Sequence, residues 1–264
     1  MHPRTLGALL GMLLACNSAK RAHADDSGSS SDNGPKFGTT ITGQAGALAA
    51  RGNTDTTAIN AKAEYLHNTH ANTDDFELEW LYSKSGDIVT AERWATNLQH
   101  NWNIASGFYI YASLHYEDDL FSGFAYQGDV STGVGYTILD NAKTKLSVQI
   151  GPAYQRLRPE QLKKNASDEV IERIQGPDED SIAAEAKAKF EYDFNDITKL
   201  TDTLSTVASS LNTYVENSLA LQVKMSNTLS LSLGYAVRYN SSPPADTLRT
   251  DTQTTLNVVY TKKP

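Results

Sequence analysis

Ionisable side chains recur at every second residue through long stretches of this chain. Examples are Lys62 and Glu64, Glu77 and Glu79, His115 and Glu117, and the run Glu185, Lys187, Lys189 and Glu191. Arg93, Glu216, Lys224 and Arg238 fall on the same polar parity of their own segments. A spacing of two puts all these groups on one face of a strand. Both signs occur on segments that follow one another. The chemistry open to such a face is a polar, charge-lined conduit or a lumen filled by ion pairs. Catalysis needs a tighter pattern. His115 lies near Glu117, Tyr109 and Ser113, and Ser122 and Ser131 follow, but no nucleophile elbow or ordered triad marks one of these serines. His67 and His70 with Asp74 and Asp75 allow a metal reading, and they equally suit a solvated turn. Glu117-Asp118-Asp119 and Pro177-Asp178-Glu179-Asp180 are rich in oxygen, as calcium or magnesium requires, yet their spacing matches no calcium loop. The expectation is no enzyme activity, no cofactor, no metal, and a set of lumen-lining residues.

The elements that carry these groups read as strands. Thr228 to Tyr239 alternates Leu229, Leu231, Leu233, Tyr235, Val237 and Tyr239 with Ser230, Ser232, Gly234, Ala236 and Arg238. The same alternation predicts strands over Phe37–Ala50, Thr56–Asn68, Asp74–Ser85, Glu92–Ala105, Phe108–Asp119 and Tyr126–Leu139. It continues over Thr144–Arg158, Ser181–Asn195, Thr198–Val207, Thr213–Met225 and Thr250–Lys262. A dozen or so residues exceeds the usual strand of about five or six and matches the roughly 9–11 needed to cross a bilayer at a tilt. Connections alternate between short turns, such as Ser106-Gly107 and Ser226-Asn227, and longer loops, of which Pro159–Asp180 is the longest. That loop could form a lid, a short helix or a mobile arm. The expected fold is all-β: a transmembrane up-and-down antiparallel β-barrel of about twelve strands, with short periplasmic turns and longer extracellular loops. The aromatic residues Phe76, Trp80, Tyr82, Trp94, Trp102, Phe108, Tyr116, Tyr136, Phe190, Tyr192, Phe194, Tyr235, Tyr239 and Tyr260 share the apolar parity, as two interfacial girdles would. A soluble β-sheet protein explains the alternation but not the loop asymmetry.

Composition agrees. The 264 residues are 39% hydrophobic with a net charge of −8, which excludes a helical membrane protein and disfavours nucleic acid as a partner. The N-terminus reads as a signal peptide over residues 1–24. Arg4 is the charged start, Leu6–Ala15 the apolar core, and Ala22-His23-Ala24 the site cleaved after Ala24. A lipoprotein reading with Cys16 as the lipidated residue is the alternative. Residues 25–36 form a flexible polar linker, and 37–264 the barrel.

Several motifs in order carry a family resemblance. They are Arg51-Gly52-Asn53-Thr54-Asp55, Ala91-Glu92-Arg93-Trp94, Tyr116-Glu117-Asp118-Asp119 with Phe121-Ser122-Gly123, Gly151-Pro152-Ala153-Tyr154-Gln155-Arg156, and Val237-Arg238-Tyr239-Asn240-Ser241-Ser242-Pro243-Pro244. The chain from about Gly43 to Tyr260 resembles the YdiY-like salt-induced outer-membrane protein family (domain of unknown function 481). The resemblance implies an outer-membrane barrel and a name tied to salt, with no catalytic residues to carry over. One departure is the tail: Tyr260 is followed by Thr261-Lys262-Lys263-Pro264 rather than closing the chain. The functional expectation is an outer-membrane barrel, either structural or a narrow polar pore, linked to salt or osmotic response. A barrel enzyme on lipid or lipopolysaccharide and a soluble or lipid-anchored periplasmic sheet protein are the alternatives. Expected partners are outer-membrane lipid, lipopolysaccharide and the barrel-assembly machinery, with both termini periplasmic and the oligomeric state open.

Overall fold

The alternating segments become strands in the computed structural model, which describes residues 37–50, 55–167, 169–244 and 247–264. The expected signal peptide and linker lie outside the described residues. The strands are β1 (Gly38–Ala50), β2 (Thr56–Asn68), β3 (Asn72–Ser85), β4 (Ile88–Ala105), β5 (Phe108–Asp119), β6 (Phe124–Asp140) and β7 (Thr144–Lys164). They continue as β8 (Val170–Gln175), β9 (Glu179–Asp193), β10 (Thr198–Ser209), β11 (Thr213–Lys224), β12 (Leu229–Asn240) and β13 (Thr250–Lys262). Neighbours in sequence pair antiparallel, β7 pairs with both β6 and β9, and β1 meets β13. Twelve strands thus close into an up-and-down barrel, and β8 is an arm added to β7.

β8 replaces the expected loop. β7 runs past Pro159 to Lys164 and pairs with β8 from Glu160 opposite Gln175 to Lys164 opposite Val170. Arg173 Nε donates to Glu160 Oε1 at 2.6 Å and Gln175 Nε2 to Glu160 Oε2 at 3.0 Å, so the buried Glu160 carboxylate clamps the hairpin. Asn165 Oδ1 accepts from the backbone N–H groups of Ser167 and Glu169 and caps its tip. Short-range alternation was present here, but too many charges on both faces hid it. β3, β4 and β6 also begin earlier than their alternation suggests. The bulge opposite Ser83/Lys84 adds a residue to β4 and that at Phe124/Tyr126 adds one to β6, so the parity flips near the start of each; β3 begins at Asn72 with no bulge there.

Two glycine positions are demanded by the geometry. Gly133 and Gly151 face each other where β6 and β7 come closest; a Cβ on Gly133 would lie 2.2 Å from the Ile150 carbonyl oxygen. Gly123 turns β5 into β6 at φ +82°, and Pro244 and Thr247 of the β12–β13 connection rest against it. Ala153, Ala183 and Val207 form a small apolar cluster inside the wall.

Gly133→Val should cost about 1–3 kcal/mol or more, because the obstacle is backbone that cannot move aside. A lowered unfolding temperature in the heat-modifiable gel shift of the detergent-extracted protein would register it. At the loop end, the carboxyl of Asp178 is held below the ordinary carboxylate range by hydrogen bonds from Arg158 and Tyr126. A depressed value stabilises the fold above the unfolded value and loses that contribution as pH falls through the folded one. Hydrogen exchange of residues 170–178 should therefore gain little protection from this tie at pH 2, and Asp178→Asn should flatten the dependence.

Candidate functional site

The inner face of the barrel carries the charged groups, in three tiers. At the loop side Arg93 on β4 is 4% exposed. Its Nε and Nη2 donate to Glu117 Oε2 at 2.9 and 2.6 Å, and its Nη1 donates to Glu79 Oε2 at 2.8 Å. Glu117 on β5 is 1% exposed and also accepts from Gln127 Nε2 at 3.3 Å. The Tyr214 hydroxyl on β11 lies between Glu117 Oε2 at 3.3 Å and Glu216 Oε2 at 3.0 Å. Arg238 on β12 faces Glu216 Oε1 at 3.3 Å and donates from its two Nη atoms to Gln253 Oε1 at 3.2 and 3.1 Å. In the ring, β5 and β11 stand five strand steps apart one way and seven the other. The tier therefore joins opposite walls through Glu117 and Tyr214.

The middle tier also crosses the lumen. Gln99 Nε2 on β4 donates to Gln149 Oε1 on β7 at 3.0 Å, and Lys187 Nζ on β9 donates to Gln99 Oε1 at 3.2 Å. Gln149 Nε2 donates to Glu185 Oε1 at 3.1 Å, and Ser131 bonds the same carboxylate. Ser113 and Ser131 share a hydrogen bond of 2.6 Å. Their hydroxyls are thus committed to the wall. His115 shares a hydrogen bond of 2.7 Å with Asn97 Oδ1 and stacks on Tyr214, with ring centroids 6.1 Å apart. Between His115, Asp129, Gln155, Val207 and Tyr214 lies a void of about 10 Å³, room for about one water.

The turn-side tier is built on lysines and is wetter. Lys62 Nζ meets Glu77 at 2.6 Å and Glu79 at 3.0 Å, with Glu64 directly opposite Glu77 in the ladder. Lys199 meets Glu191 at 2.7 Å and Lys189 meets it at 3.9 Å. Lys62 is 28% exposed and Lys199 37%, against 4% for Arg93. Lys224 shares the inward parity but sits exposed at the rim, where its Nζ donates to the Asp196 carbonyl. His67 and Thr39 share a hydrogen bond, His70 packs on Phe37, and Asp74 pairs with His100. Among the described residues no group of three or more His, Cys, Asp or Glu is placed to hold a metal ion. Of the acidic rim, Asp119 accepts from the Phe121 backbone N–H and Asp118 lies 3.8 Å from Arg173.

Reading charges alone missed the neutral members: Tyr214, Gln99, Gln127, Gln149 and Gln253 complete the bridges. They stand on the same parity as the charges, and that was the signal available. The outer face is the complement. Phe76, Trp80, Trp102, Tyr136, Tyr154, Tyr235 and Tyr260 are exposed among Ile, Leu and Val. Trp94 and Tyr116 (4.9 Å), Tyr116 and Tyr126 (5.8 Å), and Arg158 over Tyr126 (5.3 Å) form a belt across four strands at the loop side. Apolar outside, polar inside and closed by backbone hydrogen bonds is the architecture of an outer-membrane β-barrel.

Removing Arg93 leaves the buried Glu117 without its cation, while Glu79 keeps Lys62. Arg93→Ala should cost about 3–5 kcal/mol, while Arg93→Met combined with Glu117→Leu should cost less than the sum of the single changes. A double-mutant cycle on thermal unfolding in detergent measures the difference.

Several known proteins are similar to this chain. The translocator domain of the autotransporter NalP from Neisseria meningitidis is similar at a TM-score of 0.49 and 11% identity, covering 87% of this chain and 90% of that one. An outer membrane channel from Pseudomonas putida F1 is similar at 0.47 and 10%, covering 89% and 100%. The NanC porin is similar at 0.45 and 6%, covering 85% and 99%. In sequence, the "Uncharacterized protein YdiY" of Escherichia coli (strain K12) is 23% identical over 217 residues, 82% of this chain and 80% of that protein. The family model described as "Protein of unknown function, DUF481" matches residues 43–261, and the chain belongs to the DUF481 family.

Proposed function

We propose that the protein is a latched, narrow polar pore of the cell envelope, with no enzymatic role, closed at its loop side in the state described above. The observation that carries this is the wall-to-wall bridge from Arg93 through Glu117, Tyr214 and Glu216 to Arg238. A barrel of twelve strands lies between the filled eight-stranded and the open sixteen-stranded kinds, so side-chain choice decides the bore. Here that choice blocks one tier with buried arginine pairs and leaves the lysine tier hydrated. Salt acts unequally on the two. At about 0.1 M the screening length is about 10 Å and at 1 M about 3 Å, and exposed pairs feel it far more than buried ones. Rising salt would loosen the turn-side tier first, which supports a role in salt or osmotic response. Both termini lie at the short-turn end, taken as periplasmic, with lipopolysaccharide around the loop end. Tyr260, an outward aromatic near the C-terminus, would serve as the signal to the assembly machinery.

Planar-bilayer recording tests the reading. The wild-type barrel should conduct rarely, and Glu117→Gln with Tyr214→Phe should conduct more often without loss of the heat-modifiable fold. Free conduction by the wild type would remove the latch. Silence of both proteins, each folded, would leave a structural barrel and no pore.

A further inference from the structure

The backbone ladder that closes the barrel is incomplete at one seam. β1 and β13 pair only from Ile41 opposite Lys262 to Ala45 opposite Val258. The same two strands are fully laddered on their other sides. β1 stays paired with β2 up to Ala50 opposite Thr56, and β13 stays paired with β12 up to Thr250 opposite Tyr239. Gly46 still lies against the Leu256 carbonyl oxygen, but Ala47 to Ala50 have no ladder partner on β13, and among the described residues one edge of each strand is open toward the loop end.

A side-chain clasp marks the point where the fork begins. Asn60 on β2 donates from Nδ2 to Asn257 Oδ1 on β13 at 2.8 Å, reaching over β1 at Gly46. A Cβ at position 46 would lie 2.2 Å from Asn257 Oδ1, so only glycine admits this clasp. Beyond it the alternation of burial stops: Ala47, Leu48, Ala49 and Ala50 are all exposed. Leu48 stands opposite Ala58, on the parity of Asn60 and Lys62, and is 61% exposed. It is an apolar side chain on the lumen parity, beside the break in the wall. On the other lip Leu256 is exposed on the outward parity and continues into Val258 and Tyr260. Apolar surface thus runs from the lipid-facing band of β13, through the alanines of β1, to Leu48 on the inner face.

We infer that the loop-side half of the β1–β13 seam is a lateral opening that takes an acyl chain of a membrane lipid from the surrounding leaflet. The continuity with the lipid-facing band identifies the occupant, since a chain already lying against Leu256 and Ala47 reaches Leu48 without leaving apolar contact. Inward travel ends at Gln253, which holds Arg238 of the latch. Calling the leaflet the outer one rests on the orientation proposed above; the opening itself does not.

Photo-crosslinking tests the inference in the intact protein in its native membrane. Leu48 is replaced by p-benzoylphenylalanine, with Ile59 on the outward parity and Ser205 on a fully laddered inward parity as controls. Lipid-mass adducts are expected at position 48 as abundantly as at 59, with none at 205. Loss of the lipid adduct at 48 while 59 retains it overturns the opening, and so does a protein adduct at 48, which would mean that a peptide strand fills the edge. If the bulky label prevents folding, a spin label on Leu48→Cys gives the same decision: relaxation by oxygen in place of a water-soluble nickel chelate supports the opening, and the reverse overturns it. Neither readout involves conductance, so the latch and the opening stand or fall separately.

Discussion

Backbone hydrogen bonding in a solvent without water is the constraint on which this barrel depends. Each N–H and C=O left unpaired in hydrocarbon costs several kcal/mol, so strands that enter a bilayer must pair on both edges. Closing the ring through β1 and β13 meets that demand over the turn-side half of the seam. Every other seam is paired along most of its length, and the alternation of side chains follows from it. With the wall fixed, each residue is committed to lipid or lumen, and a slip of one position would exchange the two sets. Gly133 and Gly151 show how tightly the wall is drawn, since their backbones approach where no Cβ fits.

The interior then has to satisfy what the wall turns inward. Arginine and lysine do this differently. Arg93 spreads three N–H donors over two carboxylates within a nearly dry tier, a task suited to a planar, weakly hydrated cation. Lys62 and Lys199 hold their partners as point charges where water still reaches them. Removing water from ions is expensive, so the dry tier is stable only because Glu117 has Arg93, Gln127 and Tyr214 around it. The same completeness bridges the lumen: groups that satisfy one another across the barrel also occupy the space between its walls.

Much of this was legible from period two alone. The twelve barrel strands, their order and their two faces follow from alternation, because a strand in a bilayer has no other way to divide polar from apolar. Three things were not legible. Bulges at Ser83/Lys84 and Phe124/Tyr126 shift parity, so β4 and β6 were cut short. The β7–β8 arm carries charges on both faces and looked like a loop. The bridges depend on which strands face each other across the ring, a distance of 97 residues for Tyr214 and Glu117, and nothing local encodes that. Tyr214 and Gln99 were hidden because neutral polar side chains on a polar face attract no notice until a partner is seen.

The open half-seam bears on the same constraint. A barrel that needs its backbone groups paired here leaves Ala47–Ala50 without partners on β13, although β1 and β13 are both laddered at that level on their other sides. Asn60 and Asn257 spend their side chains on a clasp where a larger residue than Gly46 would have forced them apart. The outward residues of β13 above this point are Thr254, Thr252 and Thr250, so the fork sits where the apolar band gives way to polar surface. Headgroup oxygens of the lipid whose chain enters the seam can accept from the loose backbone N–H groups there, which lowers the cost of leaving them unladdered. Placed a turn lower, in hydrocarbon, the same gap would be far more costly. Its position at the edge of the band is what makes an opening in an otherwise closed wall affordable, and it places Leu48 within reach of the lipid that the rest of the barrel only borders.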